Sequence, residues 1–364
     1  MAFHNHRTNH KNTHRPIFLL SIDGGGILGL LALQVLSQLE DTMGQPISAL
    51  FDCITGVSAG GIIALGLGAP RSHNATPPYS AKELHDALLR KACMIFKKTA
   101  AQEVLDTLPL AGWVNALFCS KYSNHGAQEV YTQLFGHYRM SQARVHTIIP
   151  AYNIRGVGAR GPHIKIFDSL SIAEKQAKNK AHPDFFMREI ALATSAAPTY
   201  FPPQTIQAID GNGRKTRSHY CLIDGGVAIN NPSVLAYSYL RLRHPYAPIH
   251  TLSLGVGTHP KSYARILTNR SPGTLAWLRS FEHLVVSPQL SVYKKLFTHL
   301  QKKAPHPGPY WRIQPPYTHK PFSSLDDISP QNLQRITQMG AAMIRYHKNT
   351  LDSVAFYLAK KNQS

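Results

Sequence analysis

A mostly apolar run at residues 16–22 (PIFLLSI) stops at one aspartate and three glycines. A run this short, with no polar face, suits a strand buried on both sides. Residues 30–42 follow, apolar around most of their circumference, and end near Gly44. Glycine there closes a helix in a left-handed turn. The same order then recurs. Residues 49–55 read as a second short strand, 56–60 (GVSAG) as a sharp turn, and 61–68 (GIIALGLG) as an apolar helix packed close to a sheet. Strand, turn and helix twice in succession predict an α/β fold with a mostly parallel central sheet.

Farther along, Leu84, Leu88 and Ala92 stand at helical spacing within residues 80–97. Helices are also predicted over 128–138 and 185–194, and one closing helix over 331–358. Strands are predicted at 145–153, 163–167, 220–223, 250–255 and 310–314, with 211–218 as a polar hairpin-like loop. Residues 277–303 carry helical apolar spacing, which Pro288 is expected to break into two short helices. Neither repeats nor a long linker appear. The expected organisation is a disordered polar tail (1–15), a core carrying the motifs (16–237), and a basic remainder of the same domain (238–364).

Hydrophobic residues make up 43% of the 364, enough for a substantial core. Charge changes the picture more. With 39 Lys and Arg against 19 Asp and Glu, the formal net charge is +20. That balance calls for an anionic partner, either an acidic membrane surface or nucleic acid. From Arg241 to Leu325 there are 12 Lys or Arg and one acid, Glu282. Within 277–303, Lys294, Lys295, Lys302 and Lys303 lie among aromatic and aliphatic residues, a pattern suited to anionic lipid. No nucleic-acid motif is present and the basic residues form no continuous run, so nucleic acid is set aside as the main partner. The N-terminal residues have no apolar h-region, and no apolar run of about 18 residues exists. A soluble protein without a Sec signal is expected, cytoplasmic or exported by a non-Sec route and reversibly associated with membranes at their surface. The four cysteines (Cys53, Cys93, Cys119, Cys221) show no C-x-x-C spacing and read as buried free thiols. His4, His6, His10 and His14 fall in the polar tail and define no metal site.

Three short motifs carry candidate chemistry. Gly56-Val57-Ser58-Ala59-Gly60 fits G-x-S-x-G, a strained strand-to-helix turn that exposes a serine Oγ. The helix that follows points its positive dipole end at developing negative charge. Asp23 to Gly29 (DGGGILG) has two readings. Gly24, Gly26 and Gly29 satisfy G-x-G-x-x-G, the dinucleotide fingerprint. Against that, Asp23 sets a carboxylate where pyrophosphate would lie, and no acidic residue follows at the end of a second strand. In the other reading, Gly24, Gly25 and Gly26 leave backbone N–H groups free to converge on one oxyanion. Asp224-Gly225-Gly226 ends a strand, where an α/β sheet assembles its sites.

In this order, DGGGILG, GVSAG and DGG resemble the patatin-like phospholipases, acyl hydrolases of bacterial type included. Lys121-Tyr122, IPAYN at 149–153, ATSAAPTYFPP at 193–203 and LSLGVG at 252–257 extend the resemblance, which runs over residues 16–350. It implies a three-layer α/β/α sandwich and a lipid acyl hydrolase of phospholipase A type. Ser58 would attack the ester carbonyl and Asp224 would take its proton directly. Gly24, Gly25 and Gly26 would hold the oxyanion, with Gly29, Gly56, Gly60, Gly225 and Gly226 supporting the turns. The resemblance requires no metal and no cofactor. Its implied partners are a phospholipid or other acyl lipid at a membrane surface and a protein activator. One position departs from the pattern: Leu28 stands where many members carry an arginine. The rival is an α/β-hydrolase with a Ser–Asp–His triad, its histidine drawn from the eight after Asp224: His244, His250, His259, His283, His299, His306, His319 and His347.

Overall fold

The computed structural model describes residues 15–71, 78–98, 120–156, 161–257, 274–316 and 324–361. β1 (Ile17–Ile22) leads through the glycine loop into α1 (Gly29–Met43). β2 (Cys53–Gly56) leads through the elbow into α2 (Ala59–Gly68). Then come α3 (Ala81–Ile95), α4 (His125–Phe135), β3 (His146–Asn153), β4 (His163–Asp168), α5 (Ser169–Lys178) and α6 (Met187–Thr194). The hairpin β5 (Gln204–Ile209) and β6 (Lys215–Asp224) precedes α7 (Ser233–Arg243) and β7 (Ile249–Leu254). The chain ends with α8 (Thr274–Lys303), β8 (Pro307–Ile313), α9 (Pro330–Tyr346) and α10 (Lys348–Lys361).

The eight strands form one sheet in the order β5-β6-β3-β2-β1-β7-β8, with β4 on the other edge of β3. β3, β2, β1, β7 and β8 are mutually parallel; β4 and β6 run antiparallel to β3. β1 lies between two parallel neighbours and packs against helices on both faces, so it is buried as its apolar run requires. Side chains of alternate parity divide between two layers. Phe18, Leu20 and Ile22 join one apolar cluster with residues such as Leu31, Ile63, Leu84, Val130 and Met343, from α1, α2, α3, α4 and α9. Leu19, Cys53, Ile148 and Ile249 join the other, with Val234 and Tyr237 of α7 and Phe297 of α8. Helices therefore cover both faces: the fold is a three-layer α/β/α sandwich.

Several expectations change. α8 is one helix with Pro288 inside it, not two. The proline removes one backbone donor, but Phe297 is fully buried and Gln289 and Tyr293 bond to the body, so tertiary contacts carry the helix through. The expected closing helix is two. His347 separates them, its Nε2 tied to Gln314 O at 2.8 Å. Residues Ile47–Leu50 form a helical turn after Pro46, so β2 starts later than expected. The elements α5, α7 and β5 were not foreseen; β5 (QTIQAI) mixes polar and apolar positions because it is an outer strand. Of the cysteines, Cys53 is buried, Cys221 half-buried and Cys93 exposed on α3, contrary to expectation; Cys119 and the histidine tail lie outside the described residues. Among the described residues no helix is long and apolar enough to cross a membrane.

Candidate active site

The topology of β3 brings two distant motifs to one place. Ile148 pairs with Thr55 of β2 on one edge and with Asp168 of β4 on the other. Ala151, Tyr152 and Asn153 also pair with β4, so their other partners, Asp224, Ile223 and Leu222 of β6, occupy the β2 edge. β2 runs parallel to β3 and β6 antiparallel, so the two strands meet end to end along one edge. The elbow leaves the tip of β2 and the D-G-G turn leaves the tip of β6. A Cβ on Gly225 would stand 2.9 Å from Val57 Cγ2, the residue before Ser58.

Ser58 takes the elbow conformation, with φ 56° and ψ −129°, a strained region for a non-glycine residue. Gly56 and Gly60 make the turn sterically accessible. A Cβ on Gly56 would lie 2.0 Å from Gly60 O, and one on Gly60 would lie 2.4 Å from Ile22 O. Ser58 is half-buried at the N-terminal end of α2, and its side chain does not cap that helix. Its backbone N–H donates to Thr194 Oγ1 at 3.1 Å, and the Thr194 hydroxyl donates to Pro150 O at 2.7 Å. Two residues on, Ala196 O accepts the Asp224 N–H at 2.9 Å. The end of α6 thus anchors both motifs. Asp224 is 5% exposed, and its Oδ1 accepts the Gly226 N–H at 2.7 Å, which fixes the carboxylate in its own turn. Behind it Tyr131 is buried, and burial together with the Asp224 charge pushes its hydroxyl up to about 12 despite a bond to Ser195.

The glycine loop packs against the elbow: a Cβ on Gly24 would stand 3.1 Å from Ser58 Cβ and 2.6 Å from Asn230 Oδ1. The three glycine amides differ in their partners. Gly24 N–H is engaged by Asn230 O at 3.2 Å, whereas the N–H groups of Gly25 and Gly26 meet no acceptor among the described residues. Gly26 has φ +55°, and a Cβ there would strike Leu325 O; Ile27 N–H donates to the same carbonyl at 2.8 Å. A Cβ on Gly25 would collide with Val256. These glycines therefore answer to protein neighbours, and no cofactor is needed to explain them. Gly29 packs on Ala59 and Ile63, joining α1 to α2. Leu28, at the departure from the family pattern, is 5% exposed in the apolar core. Asp23, at the mouth of the loop, is fully buried against Arg312 of β8. The Arg312 Nη1 donates to Asp23 Oδ1 at 3.0 Å and to Ser253 Oγ at 2.6 Å, and Nη2 bonds to Asp23 Oδ2. Burial works against the guanidinium's charge, but the facing carboxylate outweighs it and holds Arg312 charged.

Two of the rival triad's histidines lie beside the parallel strands. His250 sits in an aromatic box of Phe18, Trp311 and Tyr357, beside the start of β1 rather than its end. His347 is bound to Gln314. His259 and His319 lie outside the described residues, as does the side chain of His283. Local sequence pattern marks the three motifs but not the contacts of Thr194, Ala196, Asn230, Gln289 or Arg312. The 193–203 block was visible as a signature; its role as a clamp was not. Among the described residues no group of three or more His, Cys, Asp or Glu could hold a metal ion.

A family model for patatin-like phospholipase matches residues 20–237. Patatin-like protein 2 of Arabidopsis thaliana is 31% identical over 267 residues, covering 67% of this chain and 60% of its own length. Patatin-like protein 1 of Oryza sativa subsp. indica is 26% identical over 90% of this chain and 81% of its own length. Patatin-T5 of Solanum tuberosum is 25% identical over 90% of this chain and 84% of its own. Among solved structures, human GIVD cytosolic phospholipase A2 overlays 95% of this chain and 61% of its own with a TM-score of 0.47 and 9% identity. The type III effector ExoU overlays 96% and 54% with a TM-score of 0.32 and 11% identity. The last two likenesses are too low to add to the fold described above.

Proposed function

The chain belongs to the patatin-like phospholipase family, and from that premise we propose a metal-independent lipid acyl hydrolase of phospholipase A type that works with a Ser58–Asp224 dyad. The observation that carries this reading is the end-to-end meeting of β2 and β6 on one edge of β3, with the clamp at Thr194 and Ala196 tying both strand tips.

In this reading Asp224 takes the Ser58 hydroxyl proton as Oγ attacks the ester carbonyl. The carbonyl oxygen becomes an oxyanion between the N–H groups of Gly25 and Gly26, at the positive end of α2. Collapse of the tetrahedral intermediate expels the alcohol, the lysolipid, which leaves with the proton from Asp224. Water then attacks the acyl-Ser58 ester, giving its proton to Asp224. A second collapse releases the fatty acid and returns that proton to Ser58. A carboxylate is a weak base, so positioning and oxyanion stabilisation carry much of the barrier; one such donor is typically worth about 3 kcal/mol.

The substrate side follows from family and charge. The described half of α8 presents Val292 (57% exposed) and Leu296 (42%) outward, among exposed Lys294, Lys295, Lys302 and Lys303. Apolar residues ringed by lysines suit reversible adsorption of a soluble protein to an anionic lipid surface. A protein activator remains part of the proposal on family grounds.

The test is fatty-acid release from mixed phospholipid vesicles in EDTA. The wild type is expected to release acyl chains at an undiminished rate, with Ser58→Ala and Asp224→Asn reduced by at least about 10³-fold while still folded. An active Asp224→Asn would place the base elsewhere and return the histidine triad. A wild type silent even with eukaryotic extract as a source of activator would sink the acyl-hydrolase reading.

A further inference from the structure

The inner face of α8 reaches into the site. Gln289 follows Pro288 and uses both ends of its amide. Its Oε1 accepts the Asn230 backbone N–H at 2.9 Å, and its Nε2 donates to Val227 O at 2.9 Å and Gly226 O at 3.4 Å. One turn on, the Tyr293 hydroxyl donates to Ala228 O at 2.7 Å. Asn230 carries the constraint further. Its carbonyl accepts the Gly24 N–H, and its side-chain Oδ1 lies 3.0 Å from where a Gly226 Cβ would stand. The chain of contacts therefore runs from α8, through residues 226–230 after the base, to the glycine loop. Neither Gln289 nor Tyr293 falls within residues 20–237, the segment that carries the motifs.

We propose that Gln289 is a positioning residue, which holds the turn after Asp224 and the glycine loop in register for the Ser58 reaction. The proposal rests on the acyl-hydrolase reading above. The chemistry of the side chain explains the choice. An amide donates and accepts at once, and it does so here toward three backbone groups of one short loop. A carboxylate can only accept, and an aliphatic side chain can do neither. Without Gln289, the Asn230 N–H and Val227 O lose their partners and the loop relaxes. Asp224 and the Gly25 and Gly26 donors then lose the alignment on which the rate depends, because misplacement of about 1 Å costs on the order of 10²-fold. Among the described residues Gln289 bonds only to backbone groups of this loop, so substrate affinity is left alone. The two faces of α8 thus divide the work, lipid contact outside and alignment inside.

Gln289→Leu removes all three bonds at similar volume, and Gln289→Glu keeps only the acceptor. The expected result for leucine is a fall in kcat on the order of 10²-fold, on both a soluble p-nitrophenyl ester and anionic phospholipid vesicles, with KM within about twofold. Glutamate is expected to recover part of the loss. Hydrogen exchange at backbone amides 226–230 should quicken in the leucine variant. Sedimentation with phosphatidylglycerol vesicles should be equal for Ser58→Ala and Ser58→Ala/Gln289→Leu, because the adsorbing face is intact. An unchanged kcat overturns the proposal. So does a rise in KM alone, which would make α8 a binding helix only. A loss of activity that merely follows a loss of folded protein, with no recovery in glutamate, reduces Gln289 to a structural residue. A wild type with no acyl release sinks the acyl-hydrolase reading and this role with it; amide exchange would then still report whether Gln289 holds the loop.

Discussion

One hydroxyl, that of Thr194, serves the elbow and the sheet together. It accepts the Ser58 N–H and donates to Pro150 O, so it steadies the strained residue against β3. Strain such as that of Ser58 costs on the order of 1–3 kcal/mol and persists only where neighbours over-determine it. Thr194→Val keeps the shape and orphans both partners. Its expected cost is about 1–3 kcal/mol of stability, read from the urea midpoint, together with a fall in kcat. Thr194→Ser keeps the hydroxyl and should restore the rate; a serine variant as slow as valine would remove the clamp from the argument. At this scale Ser58, Asp224 and the glycines were legible because their residue types are rare in such order. Thr194 was legible only as part of a block. Its role depends on a contact 136 positions away in the chain.

Elements were legible where local pattern and tertiary role agree. β1, α1, β2 and α2 each bury most of their surface, so burial demands the apolar runs that announce them. Agreement failed where tertiary contacts overrode local preference, at Pro288 within α8 and at His347 between α9 and α10. β7 offers a test through pH. Burial among Phe18, Trp311 and Tyr357 pulls the His250 imidazole down to about 4, from an ordinary value near 6.5. The folded state keeps the ring neutral, whereas the unfolded chain takes up a proton below about pH 6.5. This contribution to stability is therefore complete above pH 6.5. It is lost progressively as pH falls to about 4 and is constant below. Melting temperatures measured across that window should fall for the wild type and fall less for His250→Phe. The phenyl ring suits the site because the imidazole Nδ1 meets no partner among the described residues. Parallel slopes in the two proteins would show that other groups govern acid sensitivity.

For the whole molecule, the decisive quantity is charge and where it lies. A net +20 favours anionic surfaces and leaves open where on the molecule they would meet it. The described half of α8 sets four lysines beside two exposed aliphatic residues on the side of the helix away from the sheet. Each cation at an anionic surface contributes about 1 kcal/mol before screening. Replacing Lys294, Lys295, Lys302 and Lys303 with glutamine should cut adsorption to phosphatidylglycerol vesicles by on the order of 10²-fold or more at low salt, with turnover of a soluble ester unchanged. Adsorption that stays strong and salt-dependent would move the lipid surface to another face. The family segment also cannot stand for the molecule. β7 and β8 lie beyond residue 237, and with them the neighbour that buries β1 and the arginine that meets Asp23.

The sequence by itself determined the family, the alternation of strands and helices and the residue types of the site. Buried strands, tight turns and backbone close approaches each restrict composition locally, so they can be read position by position. Tertiary structure alone decided which edge of β3 receives β6, which glycine amides stay open, and which residues from beyond the motif segment hold the loops. Each of these is a contact between chain segments far apart, made through backbone groups or common side chains that no local pattern marks.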